Sequence, residues 1–135
     1  MWNAMWERYT NCLHNVYIPP SAGRKMIAVE RTLFVKKPNG ASEPILIQVE
    51  VPISIAGSWR CDYVIFWPDG ACRDYGMGFD SVQALYFALQ AVGMRLYASR
   101  YHVEATLSWD KTSLGYGFPL PNAARAQAVG DDKRL

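Results

Sequence analysis

Trp59-Arg60-Cys61-Asp62-Tyr63-Val64-Ile65-Phe66-Trp67, then Pro68-Asp69-Gly70, then Ala71 to Gly78, then Asp80-Ser81-Val82-Gln83-Ala84-Leu85 is the stretch that decides the fold. The first run is β-branched and aromatic, with side chains alternating between two faces, as a strand requires. Pro68-Asp69-Gly70 carries turn chemistry, so the next run folds back as the second strand of a hairpin. Asp80 followed three residues later by Gln83 has the spacing of a capping box and starts a helix. The segment therefore reads as a hairpin feeding directly into a helix. Taking Asp69-Gly70 as the two-residue loop pairs Trp67 with Cys72. Gly76 and Gly78 read as a bend or bulge where the chain leaves the sheet.

Working outward, Val82, Leu85, Leu89, Val92 and Leu96 recur at three-and-four spacing and form the expected core stripe of the helix. Ala84, Ala88 and Ala91 keep its flanks thin, and Gly93 leaves room for backbone or a ring to approach. The helix is expected to fade between Ser99 and Glu104. Upstream, Ile27, Val29, Leu33 and Val35 alternate with Glu30, Thr32 and Lys36, with Arg31 interrupting the apolar set. Pro38-Asn39-Gly40 turns the chain into a second strand carrying Ile45, Ile47, Val49, Val51 and Ile53. Pro52 cannot donate to a ladder, so pairing weakens there. Downstream, Thr106-Leu107-Ser108-Trp109 offers a fifth strand, and Leu114 to Pro119 a glycine-rich closing segment.

The expected architecture is α+β: a four- to five-stranded antiparallel sheet with one long amphipathic helix packed on one face. One domain spans residues 26–121. Residues 122–135 turn small and charged and read as a disordered tail. In residues 1–25, Trp2, Met5, Trp6, Tyr9, Leu13 and Val16 recur at helical spacing before Pro19-Pro20. Either this is an aromatic docking helix, or translation starts at Met26 and the segment is weakly ordered.

Composition narrows the function. Half of the 135 residues are hydrophobic and 19% are charged, as in a globular chain able to bury its own core. A formal net charge of +2 with no dense basic run argues against nucleic acid and anionic membranes. No apolar stretch is long enough to span a bilayer. The absence of a signal-like N-terminus and the odd count of 3 cysteines favour the reducing cytoplasm.

Candidate chemistry is sparse. Cys61 lies six residues along the strand from the expected partner of Cys72, or about 20 Å, too far for a disulfide. Both thiols read as small buried hydrophobes, and Cys12 lies in the N-terminal segment. His14 and His102 have no ligand partner at metal spacing, so no metal and no cofactor is expected; His102 reads as a surface residue at a helix end. Asp69 is explained by the turn and Asp80 by the cap. Asp62 and Asp74 alternate with Arg60 and Arg73, which suits cross-strand ion pairs, or an acid/base pair if they converge. Gly76-Met77-Gly78 lacks the lysine of a phosphate loop. Trp59, Tyr63 and Trp67 share one strand face, where stacked bases would need a basic groove.

Residues 26–119 resemble a bacterial family of small domains of unknown function. The resemblance is carried by Trp59-x-Cys61, Tyr75-Gly76, Asp80-x-Val82-Gln83-Ala84-Leu85, Ala88-Leu89, Leu107-x-Trp109, Leu114-Gly115 and Phe118-Pro119. The family's closing element runs Leu-Gly-Phe-Pro, whereas here Tyr116-Gly117 is inserted. The resemblance implies a small β-rich core followed by one helix, and it brings no reaction, ligand or catalytic residue.

The reading that follows is a non-catalytic protein-interaction module of immunity or regulatory type. A helix on one face leaves Phe34, Leu46, Val64 and Phe66 on the other, to be covered by Trp2 and Trp6 of the N-terminal segment or by a second subunit. The alternatives are a small enzyme or small-molecule binder using Asp62, Asp74 and Arg73, and a single-stranded nucleic-acid binder.

Overall fold

A computed structural model describes residues 25–109 and 114–135. The N-terminal segment, with Trp2 and Trp6, lies outside the described residues. Among the described residues, six strands form one antiparallel sheet: β1 (Ile27–Lys36), β2 (Ser42–Glu50), β3 (Ile53–Ile55), β4 (Ser58–Trp67), β5 (Gly70–Gly78) and β6 (Leu107–Ser108). Their lateral order is β3-β4-β2-β1-β6, with β5 on the other edge of β4. The main helix, α1 (Ser81–Ala98), and a single turn, α2 (Arg100–Val103), lie between β5 and β6.

The extra strand has a chemical cause. β2 and β3 both pair with β4 along one edge, and Val51-Pro52 separates them. Proline has no N–H to give the ladder, and the Val51 N–H bonds the Met26 carbonyl instead. One long strand thus becomes two. β3 then turns into β4 through Ala56 and Gly57, both at positive φ, the geometry of a tight hairpin.

The β4–β5 hairpin forms in a different register from the one expected. Trp67 pairs with Gly70 and Ile65 with Cys72, so Pro68 and Asp69 are the loop. Proline favours the first corner position of a turn and cannot pair as a strand donor, which decides the register. Cys61 now lies opposite Gly76, four residues along β4 from the partner of Cys72. About 13 Å still separates these two cysteine positions. Gly76 and Gly78 are paired strand residues, not a bend.

These glycines explain how the helix sits. A Cβ on Gly76 would lie 2.7 Å from the Ala84 carbonyl and also against the Ala88 backbone nitrogen. Helix backbone rests directly on strand backbone there, so the buried side chains above are Ala84 and Ala88. The buried stripe runs on through Val92 and Leu96, which are fully buried. Leu85 and Leu89 are only partly buried, and Val82 is 74% exposed, so the N-terminal half of the expected stripe is rotated off the sheet. The cap forms as expected: the Asp80 carboxylate accepts from the Gln83 N–H at 2.8 Å, and the Gln83 side-chain oxygen accepts from the Phe79 N–H at 2.8 Å.

The helix packs on β4 and β5. The closing segment covers the β1–β2 half of the same face, with Tyr116, Phe118 and Leu120 buried. Residues 122–135 are not a disordered tail. They form two 3₁₀ turns, Asn122–Gln127 and Gly130–Arg134, that bury Ala124, Ala128 and Asp132. Asp132 is 2% exposed. It accepts from the Tyr97 hydroxyl at 2.6 Å and from the N–H groups of Tyr116 and Gly117 at 2.8 and 2.7 Å. One carboxylate thereby ties helix, closing segment and C-terminus together.

Candidate functional site

The residues expected to form a polar site do not converge. Asp62 and Arg73 face away from the helix, where Arg73 pairs with Glu50 and lies 3.5 Å from Asp62, which also pairs with Arg60 at 2.6 Å. Arg60 stacks over Tyr75 at 4.0 Å. Asp74 sits opposite Tyr63 and faces the helix, so the sheet lies between it and Asp62. There it holds buried Arg95 at 2.6 Å, and Arg95 also donates to the Tyr63 hydroxyl at 2.9 Å. Burial pulls the Arg95 pKa down, but Tyr63 and Asp74 outweigh it and raise it overall. Period two explains the separation, because Asp62 and Asp74 belong to different pleat faces in the observed register.

Nor do the aromatics form a stacking platform. Tyr63 is fully buried beneath the helix, Trp59 and Trp67 pack against the core, and Trp67 stacks on Tyr101 with ring centroids 5.1 Å apart. The face turned away from the helix carries Phe34, Leu46, Val64 and Phe66. Phe34 and Phe66 are 38% and 42% exposed, Leu46 is half-buried and Val64 is buried.

The largest exposed apolar side chains lie elsewhere. Phe79 is 89% exposed, Val82 74%, Tyr86 49% and Phe87 42%. Positions 79, 82 and 86 follow helical spacing, so they line up along the solvent side of α1. A solvated helix face ordinarily carries charge, yet the chain has no Asp, Glu, Lys or Arg from Ser81 to Met94. That uncharged run was the signal for this surface. Because apolar residues surround the helix, periodicity put Val82 in the core stripe, whereas it faces outward.

A second feature emerges from the interruption in β1. Arg31 sits opposite Ile47 on the helix-facing side. Its Nη1 donates to the carbonyls of Gly117 and Tyr116 at 2.7 and 3.1 Å, and its guanidinium lies 4.0 Å from the Trp109 ring centre. Gly117, at φ 74°, has no side chain because the guanidinium occupies that space. Burial lowers the Arg31 pKa, against an opposing pull from Asp132. Beside it opens a cavity of about 230 Å³ lined chiefly by Val29, Ile47, Val49, Leu89 and Phe118.

A family model matches residues 29–120. The chain belongs to the family described as Domain of unknown function (DUF6968). The DUF6968 match takes in the whole sheet beyond its first residues, α1 and the closing segment, so both surfaces described above lie inside it. No curated protein and no solved structure matches the chain.

Two expectations about reactive side chains change in this DUF6968 domain. Cys61 is a free, fully buried thiol, as expected; burial pushes its pKa up to about 12, aided by Asp62 and Glu50. Cys72 is disulfide-bonded, so it is not the free thiol expected. The cysteine pattern therefore no longer argues for a reducing compartment. His102 does lie in the last turn of α2, but it is half-buried rather than a free surface residue. Its Nδ1 lies 2.5 Å from the Tyr116 hydroxyl, its ring packs against Tyr97, and burial lowers its pKa. Among the described residues, no three side chains of His, Cys, Asp or Glu gather in a metal-binding group. Among them, too, no helix is long and apolar enough to cross a membrane.

Proposed function

We propose that this domain is a non-catalytic interaction module that docks a partner protein on the outer face of α1. The observation that carries the reading is the uncharged exposed run Phe79, Val82, Tyr86 and Phe87. Aromatic side chains of this kind anchor interfaces, because they bury large area with few rotamers to freeze. Helix backbone fixed on Gly76 keeps the anchors in one geometry before docking, which lowers the cost of association. The partner should offer an apolar, uncharged groove that accepts a helix face.

Val82→Glu and Tyr86→Lys test the reading. In size-resolved native extract the unaltered chain should run in a complex. Each variant should run free while melting at the same temperature as the parent. A parent that runs free, or variants that stay in the complex, would overturn it.

A second interaction surface, carrying Phe34, Leu46, Val64 and Phe66, is supported by the exposure of Phe34 and Phe66. It would be covered by Trp2 and Trp6 of the N-terminal segment or by a second copy. Removing residues 1–25 and measuring dye binding and molar mass separates those cases.

A further inference from the structure

Arg31 differs from the other substantially buried arginines. Arg60, Arg73 and Arg95 each pair with a carboxylate. Arg31 makes no ion pair among the described residues, although it sits on the face of the sheet that packs the core. The acid whose field it feels is Asp132, whose oxygens already accept from Tyr97, Tyr116 and Gly117. Glu30, its neighbour, takes a hydrogen bond from Gln48 at 2.9 Å on the opposite face. Nη1 is occupied by the two closing-segment carbonyls. Among the described residues, Nε and Nη2 have no partner, and neither is sealed from water, since the side-chain polar atom there that is both buried and unpartnered is Arg73 Nε. That open edge presents two parallel N–H donors, the geometry that grips a carboxylate bidentately.

The cavity beside Arg31 supplies the other half of a site. Its lining is mainly Val29, Ile47, Val49, Leu89 and Phe118, contributed by sheet, helix and closing segment together, and Glu30 borders it beside Arg31. A volume of about 230 Å³ has room for roughly seven water-sized groups at about 30 Å³ each. A mainly apolar chamber whose one cation is Arg31, with the bordering Glu30 carboxylate taken up by Gln48, fits a ligand with one charged end and a short apolar body.

We propose that this cavity binds a small monocarboxylate with a branched aliphatic tail, its carboxylate held by Arg31 and its tail packed between Val49, Leu89 and Phe118. The Nη1 bonds to Tyr116 and Gly117 hold the guanidinium in place, and the Trp109 ring supports its plane. Recognition is therefore preorganised rather than assembled by the ligand.

The test titrates sodium 3-methylbutanoate into the full isotope-labelled chain and follows amide resonances, with 3-methylbutanamide as the neutral control. Saturable shifts should appear at Val29, Arg31, Val49, Leu89 and Gly117, and the amide should bind at least about 10-fold more weakly. Arg31→Gln should weaken binding by about 10- to 100-fold. Because that change also removes two bonds to the closing segment, Leu89→Phe provides a second variant. It fills the chamber, leaves Arg31 intact, and should also abolish saturable shifts. No saturable response in the parent, an equal response to the amide, or parent-like binding by Leu89→Phe would each overturn the proposal. Val82→Glu should bind the carboxylate as the parent does, because it alters only the helix face turned to solvent.

Discussion

Replacing Asp132 by alanine should be among the most damaging single changes in this chain, although it falls in a stretch whose composition suggests a loose tail. The carboxylate is 2% exposed and accepts three hydrogen bonds, from the Tyr97 hydroxyl, the Tyr116 N–H and the Gly117 N–H. Alanine removes all three acceptor contacts and leaves the donors in place. A buried donor without a partner costs about 1–3 kcal/mol, so the gross loss is roughly 3–9 kcal/mol. Water entering the vacated space satisfies part of that demand, and the desolvation cost of the charge disappears. A net loss of about 3–5 kcal/mol follows, in line with removal of one partner from other buried charged networks. Against a typical domain stability of about 5–15 kcal/mol this is a large fraction. In urea, with a slope of about 1–3 kcal/mol per molar, the midpoint should fall by about 2 M. Asp132→Asn should lose less, since one oxygen still accepts while the amide nitrogen opposes a backbone donor. A loss below about 1 kcal/mol for Asp132→Ala would show that the C-terminal turns do not anchor the closing segment, and the reasoning would fail.

Other expectations follow from the same contacts. Gly76→Ala should cost about 1–3 kcal/mol or more, because its Cβ meets helix backbone at Ala84 and Ala88; an unchanged melting temperature would contradict the close helix–strand contact. Leu96→Ala should cost about 2–5 kcal/mol, Leu89→Ala less, and Val82→Ala within about 0.5 kcal/mol, as read by denaturant unfolding. Stability should also fall at alkaline pH. Cys61 is raised from 9.0 to about 12 and Tyr116 from 10.0 to about 12, both chiefly by burial, and Tyr97 is raised as well. Folded values above unfolded ones mean that the stabilisation is complete below about pH 9 and is lost as pH rises through about 12, with about 2–4 kcal/mol gone by pH 11. A flat profile from pH 8 to 11 would refute the burial of these groups.

Much of the fold was legible because local signals agreed. Asp80 and Gln83 announced the cap, Pro52 announced the weak point in β2, and alternation in β1, β2 and β4 placed their faces correctly. What escaped had physical reasons. The hairpin register depended on whether Pro68 or Gly70 occupied the corner, and two-residue shifts preserve face alternation, so pattern could not decide. The helix carries apolar residues on every side, and only the glycines of β5 reveal that Ala84 and Ala88, not Val82, face the sheet. Asp132 looked like one charge in a polar tail, because nothing local marks the donors it meets from Tyr97 and the closing segment. Arg31 was visible as a break in the β1 pattern, but its lack of an ion pair among the described residues depends on contacts made across the fold.

The most direct test of the docking surface places a photoreactive phenylalanine analogue at Tyr86 and, separately, at Glu104, which is exposed but lies outside the apolar run. After irradiation in native extract, the Tyr86 position should yield a protein adduct of one defined mass. The Glu104 position should yield none, and adding Val82→Glu should remove the Tyr86 adduct. Equal labelling at both positions, or a Tyr86 adduct that survives Val82→Glu, would contradict the account.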